Sequence, residues 1–241
     1  MTDQMTHQPS VVLVHGALTD ASVWRQVSTR LQAGGHHVIA PALPMRSLSD
    51  DVAYLRSFLE SLSGPLLVAG HSYAGSVISD PDALTPTVRA LVFIAAFQQD
   101  SGETAGELNG KFPGSLLTPE NLVFRKYPGG QEAYLRPDKF AEAYAADVDV
   151  REQAAMGAAQ KPFDPTILGG AFSGSASWRS LPSWSVVSTR DVSIPTEALR
   201  WMAERAGSTV VEVDSSHAVP VAHPRPVTQA IESALRFVAG N

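Results

Sequence analysis

Residues 66–78 read Leu-Leu-Val-Ala-Gly-His-Ser-Tyr-Ala-Gly-Ser-Val-Ile, and no other stretch constrains the fold as much. Residues 66–69 are an apolar run of strand length. The run ends in Gly70-His71-Ser72, and small residues then lead into a second apolar stretch with helical spacing. A strand that turns directly into a helix leaves the turn residue at the tip, its side chain projecting off the sheet. The first N–H groups of the helix face the same way, because they have no acceptor within the helix. Small neighbours suit such a turn, since the helix must cross close to the adjacent strands. Ser72 at that tip is a candidate nucleophile, and the plainer alternative is a serine that caps the following helix. The residue two after Ser72 is Ala74, and the glycine follows at Gly75. Alanine serves there as long as its φ stays negative.

Around this segment, apolar runs and helical periods alternate. Residues 11–14 (Val-Val-Leu-Val) and 37–40 read as strands, with a helix between them capped by Asp20 or Ser22 and ended at Gly34-Gly35. Val52, Leu55, Phe58, Leu59 and Leu62 mark a helix over residues 50–62. Residues 89–96 hold a further buried strand. From residue 98 to about 178 the texture changes. No clean strand run appears, Gly and Pro are scattered, and short helices are expected near residues 137–146 and 150–160. The alternation then returns, with strands at 183–188 and 209–213 and helices at 195–206 and 220–239. Such alternation predicts an α/β fold with a mostly parallel central sheet and helices on both faces. The expected division is a core of residues 1–97 and 181–241 with an inserted helical cap at 98–180.

The chain length, 241 residues, suits one α/β domain with an insertion as well as two small domains. Charged residues make up only 17%, against about 25% in an average protein, which fits a large buried sheet. A net charge of −6 gives no sign of a nucleic-acid-binding face. There is no cysteine, so no thiolate nucleophile, disulfide or Cys-ligated metal site. No apolar run approaches the roughly 20 residues of a membrane span. Residues 1–10 are polar and lack the apolar core of a signal peptide, so a cytoplasmic protein is expected.

In parallel sheets of this kind, ligands collect at the carboxyl ends of the strands. His15-Gly16, Ser72, Asp191 and His217 each follow an expected strand, so they should gather along one edge. A serine hydroxyl is a weak nucleophile near neutral pH and needs a base. His217, in Ser215-Ser216-His217-Ala218, is the candidate, and His223 is the rival. Asp191 is placed to accept the imidazole N–H and fix its tautomer. Asp100 is a less suitable substitute, and Asp214 lies too near His217 in the chain. A developing oxyanion needs two N–H donors. The backbone of Tyr73 supplies one, and that of Ala17, with Leu18 next, the other. His15 then reads as a brace for that loop. Leu18 and Tyr73 adjoin the reacting atoms and are the expected substrate-binding residues.

Four segments, VVLVHGALTDASVW, GHSYAG, STRDVSIP and DSSHAVPVAHP, resemble the serine-dependent α/β-hydrolase superfamily, most of all its small bacterial esterase-like members. The resemblance covers both sheet portions and weakens over residues 98–180. It implies the α/β-hydrolase fold, with Ser72, Asp191 and His217 as triad in the chain order the fold requires, and Ala17 and Tyr73 as oxyanion donors. It implies hydrolysis of a small or medium ester, thioester or lactone through an acyl-enzyme, with no metal and no organic cofactor, and a small-molecule substrate as the partner. Members that use aspartate as nucleophile are set aside by Ser72. The similar hydroxynitrile lyases place a lysine after the histidine, where this chain has Ala218. The remaining alternative is a ligand-binding protein, or a cofactor-free lyase or oxygenase that uses only the His–Asp pair.

Overall fold

The computed structural model describes residues 9–240. β1 (Ser10–Val14) leads through a 3-10 turn (Ala21–Trp24) into α1 (Arg25–Ala33). Asp20 caps the turn by accepting the Ser22 N–H. β2 (Val38–Ile39), α2 (Leu48–Glu60), β3 (Leu66–His71), α3 (Ala74–Ser79) and β4 (Val88–Ile94) follow. The next segment carries α4 (Ala105–Gly110), β5 (Leu122–Tyr127), β6 (Gly130–Leu135), α5 (Pro137–Tyr144) and α6 (Val150–Ala158). β7 (Ser183–Ser188), α7 (Thr196–Arg205), β8 (Thr209–Val213), α8 (Val219–Ala222) and α9 (Pro224–Gly240) complete the chain.

Six strands form one parallel sheet in the order β2-β1-β3-β4-β7-β8. β3 lies between β1 and β4 and is buried along its whole length. That two-sided burial is why its sequence is continuously apolar rather than alternating. Successive side chains go to opposite faces. Val12, Val14, Leu66, Val68 and Phe93 meet Leu55, Leu59, Val77 and Ile78 on one face. Val11, Leu13, Leu67, Ala69 and Val92 meet Val27, Leu199, Met202 and Ile231 on the other. Parallel order places the loops after β1, β3, β7 and β8 along one edge, and every candidate site residue belongs to those loops.

Three expectations need correction. The 98–180 segment is not purely helical, because β5 and β6 pair as an antiparallel hairpin, from Leu122 opposite Leu135 to Tyr127 opposite Gly130. Its strands are half exposed and partly charged, so they show no apolar run. Arg125 faces Glu132 across the ladder and lies over the Tyr134 ring. The last helix is two helices, broken at His223, because a residue before proline is driven out of helical conformation. α2 starts earlier than expected, at a Ser47 hydroxyl that caps the Asp50 N–H. Among the described residues no helix is long and apolar enough to cross a membrane.

Candidate active site

The turn after β3 is strained where the sequence suggests. Ser72 has φ +57, in the left-handed region, where a non-glycine residue costs about 1–3 kcal/mol. Its neighbours hold it there. The Ser72 N–H donates to Ile94 O (3.2 Å), and its carbonyl accepts from Gly75 N (3.0 Å) and Phe97 N (3.2 Å). Gly75 rather than residue 74 carries the need for glycine. A Cβ at Gly75 would sit 2.0 Å from the Phe97 carbonyl oxygen, where α3 crosses the chain leaving β4. A Cβ at Gly16 would lie 2.6 Å from Ser72 Cβ, so the loop after β1 presses directly on the serine.

That loop is braced as expected. His15 is fully buried, and its Nε2 accepts the Leu43 N–H (3.1 Å). Nδ1 therefore carries the proton and donates to Gly16 O (2.9 Å). Burial pushes its pKa down to about 4, so the ring is neutral. Leu18 has φ +68 and is buried. The backbone N–H groups of Ala17, Leu18 and Tyr73 take no acceptor among the described residues. Leu18 also lines a narrow cleft with Thr19, Val23, Glu152, Met156 and Val221, between the loop after β1 and α6. A roomier recess of about 360 Å³ lies at the start of β1, lined by Pro9, Gly34, His36 and Leu235. It is at the far end of the sheet from Ser72, and none of the candidate groups reaches it.

The side chain of Tyr73 turns away from Ser72 into the core. It is buried in the core, and its hydroxyl donates to Asp51 Oδ2 (2.9 Å). What Tyr73 has to offer beside Ser72 is its backbone N–H.

Asp191 and His217 come together from the loops after β7 and β8. His217 Nδ1 lies 2.6 Å from Asp191 Oδ2, with both side chains fully buried. The other carboxylate oxygen accepts the Ser193 N–H (2.8 Å) and the Ile194 N–H (2.9 Å). A carboxylate partner puts the imidazole proton on Nδ1 and leaves Nε2 as a bare acceptor. Nε2 is buried and has no hydrogen-bond partner among the described residues. No hydrogen bond joins it to Ser72 Oγ. The two residues are nevertheless neighbours, since His71 Nε2, one residue before Ser72, donates to the His217 carbonyl (3.0 Å). The His71 and His217 rings are 4.8 Å apart. Burial, and then the neighbouring His217, hold the His71 pKa well below the ordinary histidine value, so His71 adds no charge beside His217.

The rival residues are engaged elsewhere. His223 is 39% exposed and its Nε2 lies 3.1 Å from Asp147 Oδ2. Asp100 pairs with Arg179, and Asp214 with Arg190. Two further residues at the site had no sequence signal. Tyr144, at the end of α5, sets its ring edge-on to His217 (4.8 Å), and its hydroxyl meets Thr19 Oγ1 (3.2 Å). Asp147 accepts from both the hydroxyl and the N–H of Ser216. Only the change to helical spacing near residue 137 marked that region as structured at all.

The sequence matches the model of the alpha/beta hydrolase family over residues 11–230. The chain belongs to that family. It is 30% identical over 135 residues to a carbendazim hydrolyzing esterase of Nocardioides sp. (strain SG-4G), a match that spans 51% of this chain and 53% of that protein. It is 24% identical over 252 residues to an alpha-hydroxynitrile lyase of Arabidopsis thaliana, covering 95% and 98% of the two chains. The fold of this alpha/beta hydrolase superimposes on the crystal structure of polyneuridine aldehyde esterase with a TM-score of 0.81, at 21% identity, covering 94% of this chain and 99% of that one.

Proposed function

We propose that this alpha/beta hydrolase is a serine esterase acting on a small or medium apolar carboxylic ester through an acyl-enzyme. The observation that carries the reading is the buried His217–Asp191 pair, tautomer set and Nε2 bare, beside a serine held at positive φ. Ser72 Oγ attacks the ester carbonyl carbon while His217 Nε2 takes its proton. Asp191 stabilises the resulting imidazolium. The carbonyl oxygen becomes an oxyanion that rests on the N–H groups of Ala17 and Tyr73. As the tetrahedral centre collapses, the C–O bond to the alcohol breaks and His217 protonates the leaving oxygen. Water then attacks the acyl-serine, giving its proton to His217, and the acid leaves with Ser72 restored. Serine–histidine contacts in ligand-free enzymes are commonly long and tighten when the reaction complex forms.

The cleft beside Leu18 supports an apolar acyl or alcohol group, since Val23, Met156 and Val221 share it. In this reading residues 98–180 are the cap that roofs the site. Thioesters and lactones present the same carbonyl geometry and belong to the same class. Ala218, after the candidate base, is buried and uncharged, which favours ester cleavage over a lyase reaction needing a cation there. A panel of p-nitrophenyl esters of increasing chain length, set beside lactones and thioesters, tests the substrate class. Ser72→Ala should lower kcat about 10⁴–10⁶-fold on the best substrate. Full activity in that variant overturns the assignment.

A further inference from the structure

The two oxyanion-donor segments, far apart in sequence, end on one buried hydrogen-bonded network. On one side Tyr73 donates its hydroxyl to Asp51 Oδ2 (2.9 Å). Asp51 is fully buried in the first turn of α2, and its other oxygen accepts the Met45 N–H (2.8 Å). Met45 sits at φ +62, so its backbone is held in a conformation it would not choose alone. Two residues earlier, Leu43 gives its N–H to His15 Nε2, and His15 gives its Nδ1 proton to Gly16 O. Gly16 presses on Ser72 and precedes Ala17 and Leu18. The path therefore runs from the residue after the serine, through Asp51 and the 43–45 loop, to the loop after β1. The 98–180 segment clamps the same loop from outside. Lys161 Nζ donates to Leu43 O (2.5 Å), and Asp164 N to Met45 O (2.9 Å).

Ordinary core packing does not require this arrangement. A carboxylate buried to zero exposure costs several kcal/mol unless its acceptor sites are filled, and an apolar side chain would fill the space more cheaply. Both oxygens of Asp51 are spent, one on Tyr73 and one on the 43–45 loop. A side chain with two tethers on segments that flank a reacting serine fixes their spacing. Spacing between two N–H donors is what stabilises an oxyanion, because the donors must meet the oxygen where charge develops. We infer that Asp51 is a positioning residue, which through the Tyr73 hydroxyl on one side and the Met45–Leu43–His15 path on the other sets the distance between the Tyr73 and Ala17 amides. It touches no substrate atom, and the inference rests on the serine-esterase reading above.

The test separates positioning from packing by comparing kcat with KM. Asp51→Asn and Tyr73→Phe are assayed on a p-nitrophenyl ester together with inhibition by an alkyl trifluoromethyl ketone, which forms a tetrahedral oxyanion on a serine. Both variants should lose about 10–100-fold in kcat with KM within about 3-fold. Their inhibition constants for the ketone should weaken in the same proportion. Leu199→Ala, in the core on the opposite face of the sheet, is the control for simple destabilisation, and should lower Tm while leaving kcat unchanged. Tyr73→Phe keeps the ring and removes one oxygen, so it carries the test if Asp51→Asn does not fold. Variants with lowered Tm but unchanged kcat and ketone inhibition overturn the inference and leave the esterase reading intact, and so does a rise in KM alone. A wild-type chain that hydrolyses no ester and takes no ketone overturns both together.

Discussion

The sheet and the segment between β4 and β7 are built on different terms. The sheet buries apolar strands on both faces, and its loops carry Ser72, Asp191, His217 and the candidate N–H donors. The inserted segment has one half-exposed hairpin and short helices, and much of its attachment to the core is polar. Ser193 Oγ donates to Ala143 O (2.6 Å), Ala218 N to Tyr144 O (2.9 Å), and the Ser216 hydroxyl to Asp147. These bonds land on the loops that hold Asp191 and His217. The sheet edge thus carries the candidate reacting groups, while residues 143–147 of the insertion are tied to the loops that hold Asp191 and His217. A region that looks like a roof is also a strut.

The largest expected effect lies in the sheet. Gly75→Ala drives a Cβ to within 2.0 Å of a backbone oxygen that cannot move without shifting the exit from β4. We expect a loss of about 3 kcal/mol, seen as a Tm lower by about 6–12 °C. An unchanged Tm would mean that α3 does not cross so closely. Acid comes next. His15 is neutral and its pKa lies at about 4 against 6.5 when exposed, so its contribution is fully present above pH 6.5 and is lost as pH falls towards 4. The amount is about 3 kcal/mol, and His71 acts with the same sign. Asp51, pushed up to about 6 by burial, acts oppositely: its contribution is present at low pH and lost as pH rises through about 6. The two histidines outweigh it, so Tm should fall between pH 6.5 and 4.5, and His15→Gln should flatten that fall. The smallest effect lies in the insertion. Asp147→Ala removes the acceptor of the Ser216 hydroxyl and N–H, and should lower kcat about 10-fold with KM little changed. If the insertion only roofs the site, KM will move instead.

Much of the sheet is legible in the sequence because burial on both faces leaves uninterrupted apolar runs. The turn at Ser72 is legible because a strained backbone demands small residues beside it, and the departure at Ala74 finds its reason in Gly75. The hairpin is hidden because Arg125 and Lys126 are exposed and Glu132 is spent on an ion pair with Arg46, so charge interrupts both strands. The turn at residues 128–130, with Gly129 at φ +114, is the signal that could have found it. The candidate site is legible where a residue lies in the loop that leaves a strand, as Ser72, Asp191 and His217 do. It is not legible where a partner is set by packing. Nothing in the sequence sends the Tyr73 hydroxyl to Asp51, 22 positions away, or sets Tyr144 against His217. The pair Asp50-Asp51 reads as ordinary acidic residues at a helix start, yet only Asp51 is buried.

Activation of Ser72 by the buried His217–Asp191 pair is the central claim. Its most direct test is the intact mass of the folded protein after exposure to a fluorophosphonate, followed by mapping of the labelled peptide. We predict one adduct, on Ser72, formed at least about 10³-fold more slowly in His217→Ala. Labelling elsewhere, or at an unchanged rate on Ser72 without His217, would contradict it.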